Sequence, residues 1–584
     1  MQAVRPNGEL HTYTLTGSQY ISESDDPLQL SAASSNNGAA WKIVDPSGKM
    51  EFYDATGRIQ LIQYIDGKYI AFTYAPSPDP NSPIQLDAPL VPLSASDETG
   101  RILQISSNDG KNISNIAMGG ASLVSYQYAI LGAMRGLAGN SSISTASYAD
   151  GTERQYVYDE SGSAPGGNLL GLMTSLLDES GAKYASWTYD THGLTTSSTV
   201  GGLLTESVTR VDDGAGNISA SITDPIGSVY NLTAKVILNF PRLVTRAQPA
   251  GSGCSASTQD IGYDANGNDA WQDDFVGNRT CFANDTTRNL ETGRVEGLPS
   301  GTSCAGLVSP GTTLPPGARM ISTQWHPSWN LKVGIAQPGK ITSWIYNGQP
   351  DPSNGGALAA CAPTSATLPD GSPIVVLCKE IEQATGDSNG QQGFGASPLV
   401  GASYTRIWQY TYDQYGNLLT ATDSNNNTTT YTYYADTSAT HTMGDLMSAS
   451  NALGQVTNYP LYNQMGQVLQ SVDTNQIATN YTYDARQRLT SVSKAGSTTS
   501  YAYWPTGKLQ TIALPDGSSL SLGYDSAHRL TSITDGLGNQ ISYTLDNSGV
   551  RDLEQVTDPN GLLARQLTRA ADSLGRVRMV AGQE

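Results

Sequence analysis

The sequence predicts an all-β chain built from antiparallel β-hairpin repeats, and two observations support this prediction. Over residues 404–549, short aromatic strands alternate with short polar turns at a nearly constant spacing. The whole chain of 584 residues contains 31 Tyr but only 6 Phe. Tyrosine suits strands that are half buried, because its ring packs against neighbours while its hydroxyl reaches water or a polar partner. Both observations indicate extended β structure with many turns.

The repeat is marked by the residue that precedes each turn. These markers are Tyr412, Tyr433, Tyr462, Tyr483, Tyr503 and Tyr524, with Leu545 in the same place. Successive markers are 21, 29, 21, 20, 21 and 21 residues apart, so only the second step carries an insertion. A fixed period of this length is typical of repeat proteins, in which each unit packs mainly on its neighbours.

Local chemistry explains why each unit forms a hairpin. Tyr481 and Tyr483 flank Thr482, so both rings lie on one face of a strand. Asp484 then opens the turn, because an Asp at the first turn position bonds its own backbone two residues on. Three residues after the Asp, a type I turn with a bulge needs a positive φ, which glycine adopts without steric cost. That place is occupied by Gly416, Gly466, Gly507 and Gly549, and by Gln487 and His528 in two other repeats.

This pattern resembles the Rhs/YD-repeat family, which includes the shells of bacterial polymorphic toxins and Tc-type toxins and the related animal teneurins. The resemblance is carried by YDQYGNL at 412–418, YDARQRL at 483–489 and YDSAHRL at 524–530. Earlier copies are YDATGRI at 53–59, YDESG at 158–162, YDTHGL at 189–194 and YDANGN at 263–268. The residues expected to be structural in these motifs are Tyr53, Asp54, Gly57, Tyr158, Asp159, Tyr189, Asp190, Tyr263, Asp264, Gly267, Tyr412, Asp413, Gly416, Tyr483, Asp484, Tyr524 and Asp525.

The resemblance implies a long twisted sheet that spirals into a hollow, cocoon-like shell around a C-terminal toxin or effector segment. The chain is then a structural shell segment of a secreted polymorphic toxin and not an enzyme, with secretion or delivery proteins as further partners. Family members carry a self-cleaving core segment and a toxin tip after the repeats, and neither motif is found here. Because the sequence stops inside what looks like another repeat, we expect it to be truncated.

Four segments follow from the spacing of the motifs. Residues 1–147 form an N-terminal β region with the first repeat, and residues 148–289 contain irregularly spaced repeats. Residues 290–400 are irregular, contain cysteines and include a Gly/Ser/Pro-rich insertion at 348–397. Residues 401–584 form the regular repeat tract. In the irregular segment we predict strands at 321–325 and 340–346, a short helix at 374–384, and an insertion that loops out of the sheet.

Charge and cysteine content limit the partners and the compartment. The net charge of −20 and pI near 4.6 argue against nucleic acid and anionic membranes, which both favour basic surfaces. The five cysteines form no CxxC pair, so we expect isolated thiols, with disulfides such as Cys361 to Cys378 as the alternative. No apolar run is long enough to span a membrane and no signal peptide is visible. The family resemblance points to secretion or the cell surface.

No catalytic, cofactor or metal site is predicted. Asp264 begins an Asp/Asn-rich run, but the glutamate that a calcium loop needs is Phe275, so turn chemistry is favoured. His192 and His528 lie in repeat turns and are expected to be solvated, whereas His326 is expected to be packed. Metalloprotease, nucleophile-elbow and phosphate-loop motifs are absent from the sequence. Two alternatives stay open: a cell-surface adhesion or carbohydrate-binding protein whose exposed tyrosines stack on sugars, and an enzyme hidden in residues 290–400.

Overall fold

Antiparallel strands joined by short turns make up nearly all of the chain in the computed structural model. The structure describes residues 1–4, 10–17, 19–22, 28–33, 38–75, 91–130, 141–163, 171–251, 255–401 and 404–583. Two 3-10 turns, Pro352–Asn354 and Gly393–Gly395, are the helical elements of these residues. The predicted all-β hairpin fold is confirmed.

The strands are numbered in chain order. Up to residue 251 they are β1 Gln2–Val4, β2 Leu10–Thr16, β3 Gln19–Ser22, β4 Gln29–Ala32, β5 Trp41–Val44, β6 Met50–Tyr53, β7 Ile59–Gln63, β8 Tyr69–Thr73, β9 Ser94–Asp97, β10 Ile102–Ser106, β11 Asn115–Met118, β12 Ala121–Ile130, β13 Ser141–Tyr148, β14 Glu153–Tyr158, β15 Met173–Leu177, β16 Lys183–Tyr189, β17 Thr195–Val200, β18 Leu204–Asp212, β19 Asn217–Thr223, β20 Val229–Ile237 and β21 Phe240–Gln248.

The remaining strands are β22 Ser257–Tyr263, β23 Asp269–Asp273, β24 Asn278–Asp285, β25 Leu290–Pro299, β26 Arg319–Trp325, β27 Lys332–Gln337, β28 Lys340–Tyr346, β29 Pro350–Asp351, β30 Ala357–Leu358, β31 Leu377–Ala384, β32 Thr405–Tyr412, β33 Leu418–Thr422, β34 Thr428–Tyr433, β35 Leu446–Ser450, β36 Val456–Tyr462, β37 Val468–Val472, β38 Ala478–Tyr483, β39 Leu489–Lys494, β40 Ser497–Tyr503, β41 Leu509–Ala513, β42 Ser519–Tyr524, β43 Leu530–Asp535, β44 Gln540–Leu545, β45 Arg551–Thr557, β46 Leu563–Ala571 and β47 Val577–Gln583.

Each hairpin carries a register shift at the marker tyrosine. In the β38–β39 pair, Tyr481 lies opposite Val492 and Tyr483 lies opposite Leu489, with the shift between Thr482 and Tyr483. The same shift occurs at the equivalent residue in the hairpins that end at Tyr53, Tyr189, Tyr263, Tyr412, Tyr433, Tyr503, Tyr524 and Leu545. A bulge of this kind adds one residue to one strand and increases the local twist.

The chain divides into two units by contact. Unit 1 consists of Met1–Ile102, Lys235–Thr245 and Gln259–Gly466, and unit 2 of Leu103–Ala234, Arg246–Thr258 and Gln467–Glu584. Unit 1 contains three clusters of buried apolar side chains, of which one is centred on Cys281, Val295 and Met320. In unit 2 most strand residues are only half buried on both faces, as in the unbroken intermediate burial of β43.

The irregular segment differs from two of the predictions. Strands β26 and β28 confirm the strands predicted there, but residues 377–384 form strand β31 and not a helix, because they pair with β28 and β32 on both sides. The prediction that the insertion loops out is also wrong. Ala366, Leu368 and Ile374 are 1%, 2% and 1% exposed and pack in an apolar cluster of unit 1.

Four of the five cysteines form disulfides, Cys281–Cys304 and Cys361–Cys378. The prediction of isolated thiols is therefore wrong for these four, and the Cys361–Cys378 alternative is confirmed. The fold brings the two Cα atoms of each pair to 5.4 Å, which is within the range that a disulfide spans. Cys254 lies outside the described residues.

Candidate functional site

The repeat turn is built around an aspartate that accepts hydrogen bonds from the chain that follows it. Oδ1 of Asp484 accepts the backbone N–H groups of Arg486 and Arg488, both at 2.9 Å. Its other oxygen accepts Nε of Arg488 at 2.6 Å. Gln487 takes the positive φ of 65° that closes the turn. One carboxylate therefore holds three donors, which a neutral turn residue could not do as strongly.

The same geometry recurs at most of the motif residues. The carboxylates of Asp54, Asp190, Asp264, Asp413 and Asp525 each accept the backbone N–H groups two and four residues on. Gly57, Gly267 and Gly416 have φ values of 87°, 79° and 77°. Asp159 differs: its own φ is positive and its carboxylate accepts Gly171 and Leu172 N–H groups. The 158–162 copy therefore lacks the compact turn.

The marker tyrosines tie each hairpin to the preceding one. Their hydroxyls donate to the backbone carbonyl that begins an earlier strand, commonly about 15 residues upstream. The described pairs are Tyr74 to Ile59, Tyr128 to Ile113, Tyr158 to Ile143, Tyr189 to Met173, Tyr263 to Leu243, Tyr412 to Leu377, Tyr433 to Leu418, Tyr462 to Leu446, Tyr483 to Val468 and Tyr503 to Leu489. Two motif tyrosines depart from this rule: Tyr53 donates to Glu51, and Tyr524 lies opposite Leu530 in its hairpin.

This tyrosine ladder was missed at the level of sequence, although its signal is present there. Every acceptor belongs to an apolar residue just after a turn, so the constant offset between that residue and the next tyrosine encodes the bond. Burial raises the pKa of the Tyr412 hydroxyl to about 12, with a further contribution from Tyr410. The hydroxyl therefore stays protonated at neutral pH and can donate.

Hydrogen bonding sets the charge of the turn aspartates. In the turn that follows β43, the Asn539 side-chain amide donates to Asp535 at 2.7 Å, and the Leu537 and Asn539 N–H groups donate at 2.9 and 2.8 Å. These bonds, led by that of the Asn539 side chain, lower the pKa of Asp535. The turn is thus formed with an ionised carboxylate.

In unit 2, turns that are far apart in the sequence meet around a buried glutamate. The side chain of Glu179 is 0% exposed, and its Oε1 accepts Arg154 Nη2 at 3.0 Å and Arg486 Nη2 at 3.2 Å. The guanidinium carbon of Arg486 also lies 4.1 Å from the centre of the Tyr148 ring. Because Glu179 and Arg486 are 307 residues apart, this cluster joins an early hairpin to a late one. We call Tyr148, Arg154, Glu179 and Arg486 the unit 2 clamp.

Further turns of unit 2 meet in the same way. His528 Nε2 lies 2.8 Å from Asp178 Oδ2, and its ring stacks on Tyr184 with centroids 4.4 Å apart. The prediction that His528 is a solvated turn residue is therefore wrong, because the turn that contains it packs on another turn. His192, in contrast, is exposed. Ser526 Oγ donates to the Gly201 carbonyl, which links one more pair of turns.

Unit 1 contains two clefts of about 470 and 670 Å³. Both are lined by Glu98, Ser365, Gln414 and Tyr415. Asp413 also lines the first cleft, but its carboxylate already holds the turn. The clefts offer amides, hydroxyls and rings for binding, and no nucleophile paired with a base lines either of them.

The histidine and metal expectations can be compared with this geometry. His326 is 3% exposed and its Nδ1 accepts the Ser328 and Trp329 N–H groups, so the packed role is confirmed. Asp264 holds a hairpin turn, as expected. Over the described ranges, three or more His, Cys, Asp or Glu side chains nowhere gather as metal ligands would. No helix in these ranges is both long and apolar enough to cross a membrane.

Comparison with known proteins places this geometry in a family context. Residues 439–560 match the Teneurin YD-shell family model. A TcdB2-TccC3 structure without the hypervariable C-terminal region is similar at 13% identity and a TM-score of 0.48, over 93% of this chain and 27% of the other. The Tc holotoxin pore of Photorhabdus luminescens is similar at 14% identity and a TM-score of 0.39, over 93% of this chain and 26% of the other.

The chain thus spans about a quarter of the length of each of these two structures. No curated protein sequence matches it. The matched residues 439–560 lie within the regular repeat tract from which the resemblance was drawn. The predicted relationship of this chain to the Rhs/YD-repeat shell family is confirmed.

Proposed function

We propose that this chain is a structural shell segment of a secreted Rhs/YD-repeat polymorphic toxin and has no enzymatic role. The observation that carries the proposal is the burial pattern of the regular repeats. Strands β33, β37 and β43 are half buried at every position. In a β-sandwich, buried and exposed residues alternate because one face packs on a second sheet. Even burial on both faces is the pattern of a wall that is one sheet thick.

The turn contacts support the same role. A wall made of hairpins would leak between turns unless distant turns met, and in unit 2 the clamp and the His528–Asp178 pair join such turns. The tyrosine ladder fixes each hairpin to the preceding one without a thick apolar core. The proposed cargo is a C-terminal toxin or effector segment, with delivery proteins as further partners and secretion or the cell surface as the site of action.

Electron cryo-microscopy of the purified chain tests the wall. We expect density one strand layer thick around an internal space. Two sheets packed face to face at about 10 Å, with no space inside, would refute the shell role. Sequencing the gene on both sides of this reading frame tests the toxin assignment, which requires a toxin-coding segment in frame or adjacent.

The carbohydrate-binding alternative is a second candidate with weaker support. It relied on exposed tyrosines, whereas the ladder tyrosines use their hydroxyls within the sheet. A few aromatic side chains do remain accessible, including Tyr404 at 46% and Trp504 at 41% exposure. Saturable binding on a glycan panel would favour this alternative. For the third candidate, an enzyme in residues 290–400, hydrolase profiling of the intact chain is expected to show background rates.

A further inference from the structure

We propose that the segment 361–378, closed by its disulfide, is a redox-sensitive strap that holds two distant parts of unit 1 together. The strap is the buried part of the insertion and ends at Cys361 and Cys378, which are bonded to each other. It lies between a hairpin turn near residue 65 and another near residue 413. The inference does not depend on what a shell would enclose.

Backbone hydrogen bonds attach the strap on both sides. The Val375 N–H donates to the Ile65 carbonyl at 2.7 Å, and the Tyr412 N–H donates to the Cys361 carbonyl at 2.8 Å. Asn347, which is 7% exposed, bonds both ends of the strap through the Ile374 carbonyl and the Cys361 N–H. The strap therefore links residues that are about 350 positions apart in the sequence.

Apolar packing explains why the strap lies where it does. Ala366, Leu368, Ile374 and Val376 are at most 5% exposed and form one cluster with Met50 and its neighbours. Between them, the strap closes on itself as a small hairpin in which the Leu368 N–H donates to the Ser372 carbonyl at 2.7 Å. Alternating buried and exposed residues show that the strap covers the sheet with one face only.

The two turns that the strap joins are also tightly fitted. A Cβ placed on Gly67 would lie 3.0 Å from Ile374 Cγ2, and one placed on Gly416 would lie 2.1 Å from the Asp66 carbonyl oxygen. The strap and the two turns therefore form a single close contact. If the strap loosened, the turn at 64–67 would lose one of the two elements that hold it.

The two disulfides differ in their surroundings, which makes the strap the sensitive one. Cys281 is 0% exposed and lies in an apolar cluster with Val295, Leu298 and Met320. Cys361 is only half buried and lies next to the exposed residues 363–365. Because exchange requires a thiolate to reach a sulfur atom, the accessible disulfide reacts first. A dithiol reductant gives two electrons and two protons, the S–S bond breaks into two thiols, and the reductant becomes a disulfide.

Hydrogen exchange of the full chain, with and without dithiothreitol, tests the proposal. Peptide mapping of alkylated thiols first shows which disulfide is reduced, and we expect Cys361–Cys378 before Cys281–Cys304. We then expect amide exchange at residues 64–67 and 374–376 to become about tenfold faster or more, because cross-links oppose local opening. Unchanged exchange at these residues with Cys361 and Cys378 reduced would overturn the proposal, as would prior reduction of Cys281–Cys304.

Matched variants separate the strap from a general loss of stability. The pair Cys361→Ser and Cys378→Ser is expected to show the fast exchange without reductant and to gain nothing from it. The control pair Cys281→Ser and Cys304→Ser is expected to leave exchange at residues 64–67 as in the wild type. If the control accelerated that exchange equally, the strap would have no specific role. If the strap variant did not fold, the wild-type comparison with dithiothreitol would decide alone.

Discussion

The replacement Arg486→Ala tests whether the unit 2 clamp holds distant hairpins together. Arg486 provides one of the two cations on the fully buried side chain of Glu179 and stacks on Tyr148. The lost charged hydrogen bond costs about 1.5–3 kcal/mol, and the lost cation–π contact about 0.5–1 kcal/mol. Arg154 still pairs with the carboxylate, so the total stays below the cost of an unpaired buried charge. We expect about 2–4 kcal/mol.

Hydrogen exchange in strands β13 and β14 measures this loss where it occurs. A cost of about 2–4 kcal/mol corresponds to exchange roughly 30- to several-hundred-fold faster, if it acts through local opening. The control is Arg488→Ala, because Arg488 pairs with Asp150 and Asp484 at about a fifth exposure. Such exposed pairs contribute less than about 1 kcal/mol. Equal exchange in the two variants would refute the clamp.

A double-mutant cycle distinguishes the buried charge from simple packing. Glu179→Gln removes the negative charge that Arg486 neutralises, so the combined variant is expected to cost less than the sum of the single variants by about 1 kcal/mol or more. Strict additivity would mean that Arg486 acts through its contact with Tyr148 and not through the carboxylate. Arg486→Lys is expected to lie between the wild type and Arg486→Ala, since an ammonium keeps the charge but loses the planar fork.

Three further predictions concern the repeat itself. Tyr433→Phe removes one ladder bond and is expected to cost about 1 kcal/mol in urea unfolding, whereas Tyr501→Phe, whose hydroxyl has no acceptor in the described part of the chain, is expected to cost less; equal costs would contradict the ladder. Gly416→Ala combines a positive φ with a clash against backbone and is expected to lower the melting temperature well beyond Gly517→Ala, which has a positive φ but open space; equal melting would contradict this. The folded pKa of Asp535 is lowered, so its stabilising effect is present above the unfolded pKa of about 3.9 and is lost as pH falls further; melting temperatures equal at pH 3 and pH 7 would contradict such turns as a source of stability.

Sequence reasoning reached the hairpin repeat because that structure depends on near neighbours. Asp484 and Gln487 act within one turn, and the same local rule placed glycine at Gly416 with a φ of 77°. It failed where local propensity competes with pairing. Residues 377–384 suggested a helix, yet β28 and β32 supply ladder partners on both sides and make them a strand. The disulfide Cys281–Cys304 was missed for the same reason, since nothing local pairs those two cysteines.

The sequence by itself determined the period, the turn chemistry and the strand order, because each is set by contacts over about 20 residues. Only the tertiary structure decided which turns meet over about 300 residues or more. His528 shows the difference: its turn was predictable, but its contact with Asp178, 350 residues away, was not. The physical reason is that turns of one repeat are chemically alike, so local chemistry cannot specify their distant partners. The path of the whole sheet selects which of them come together.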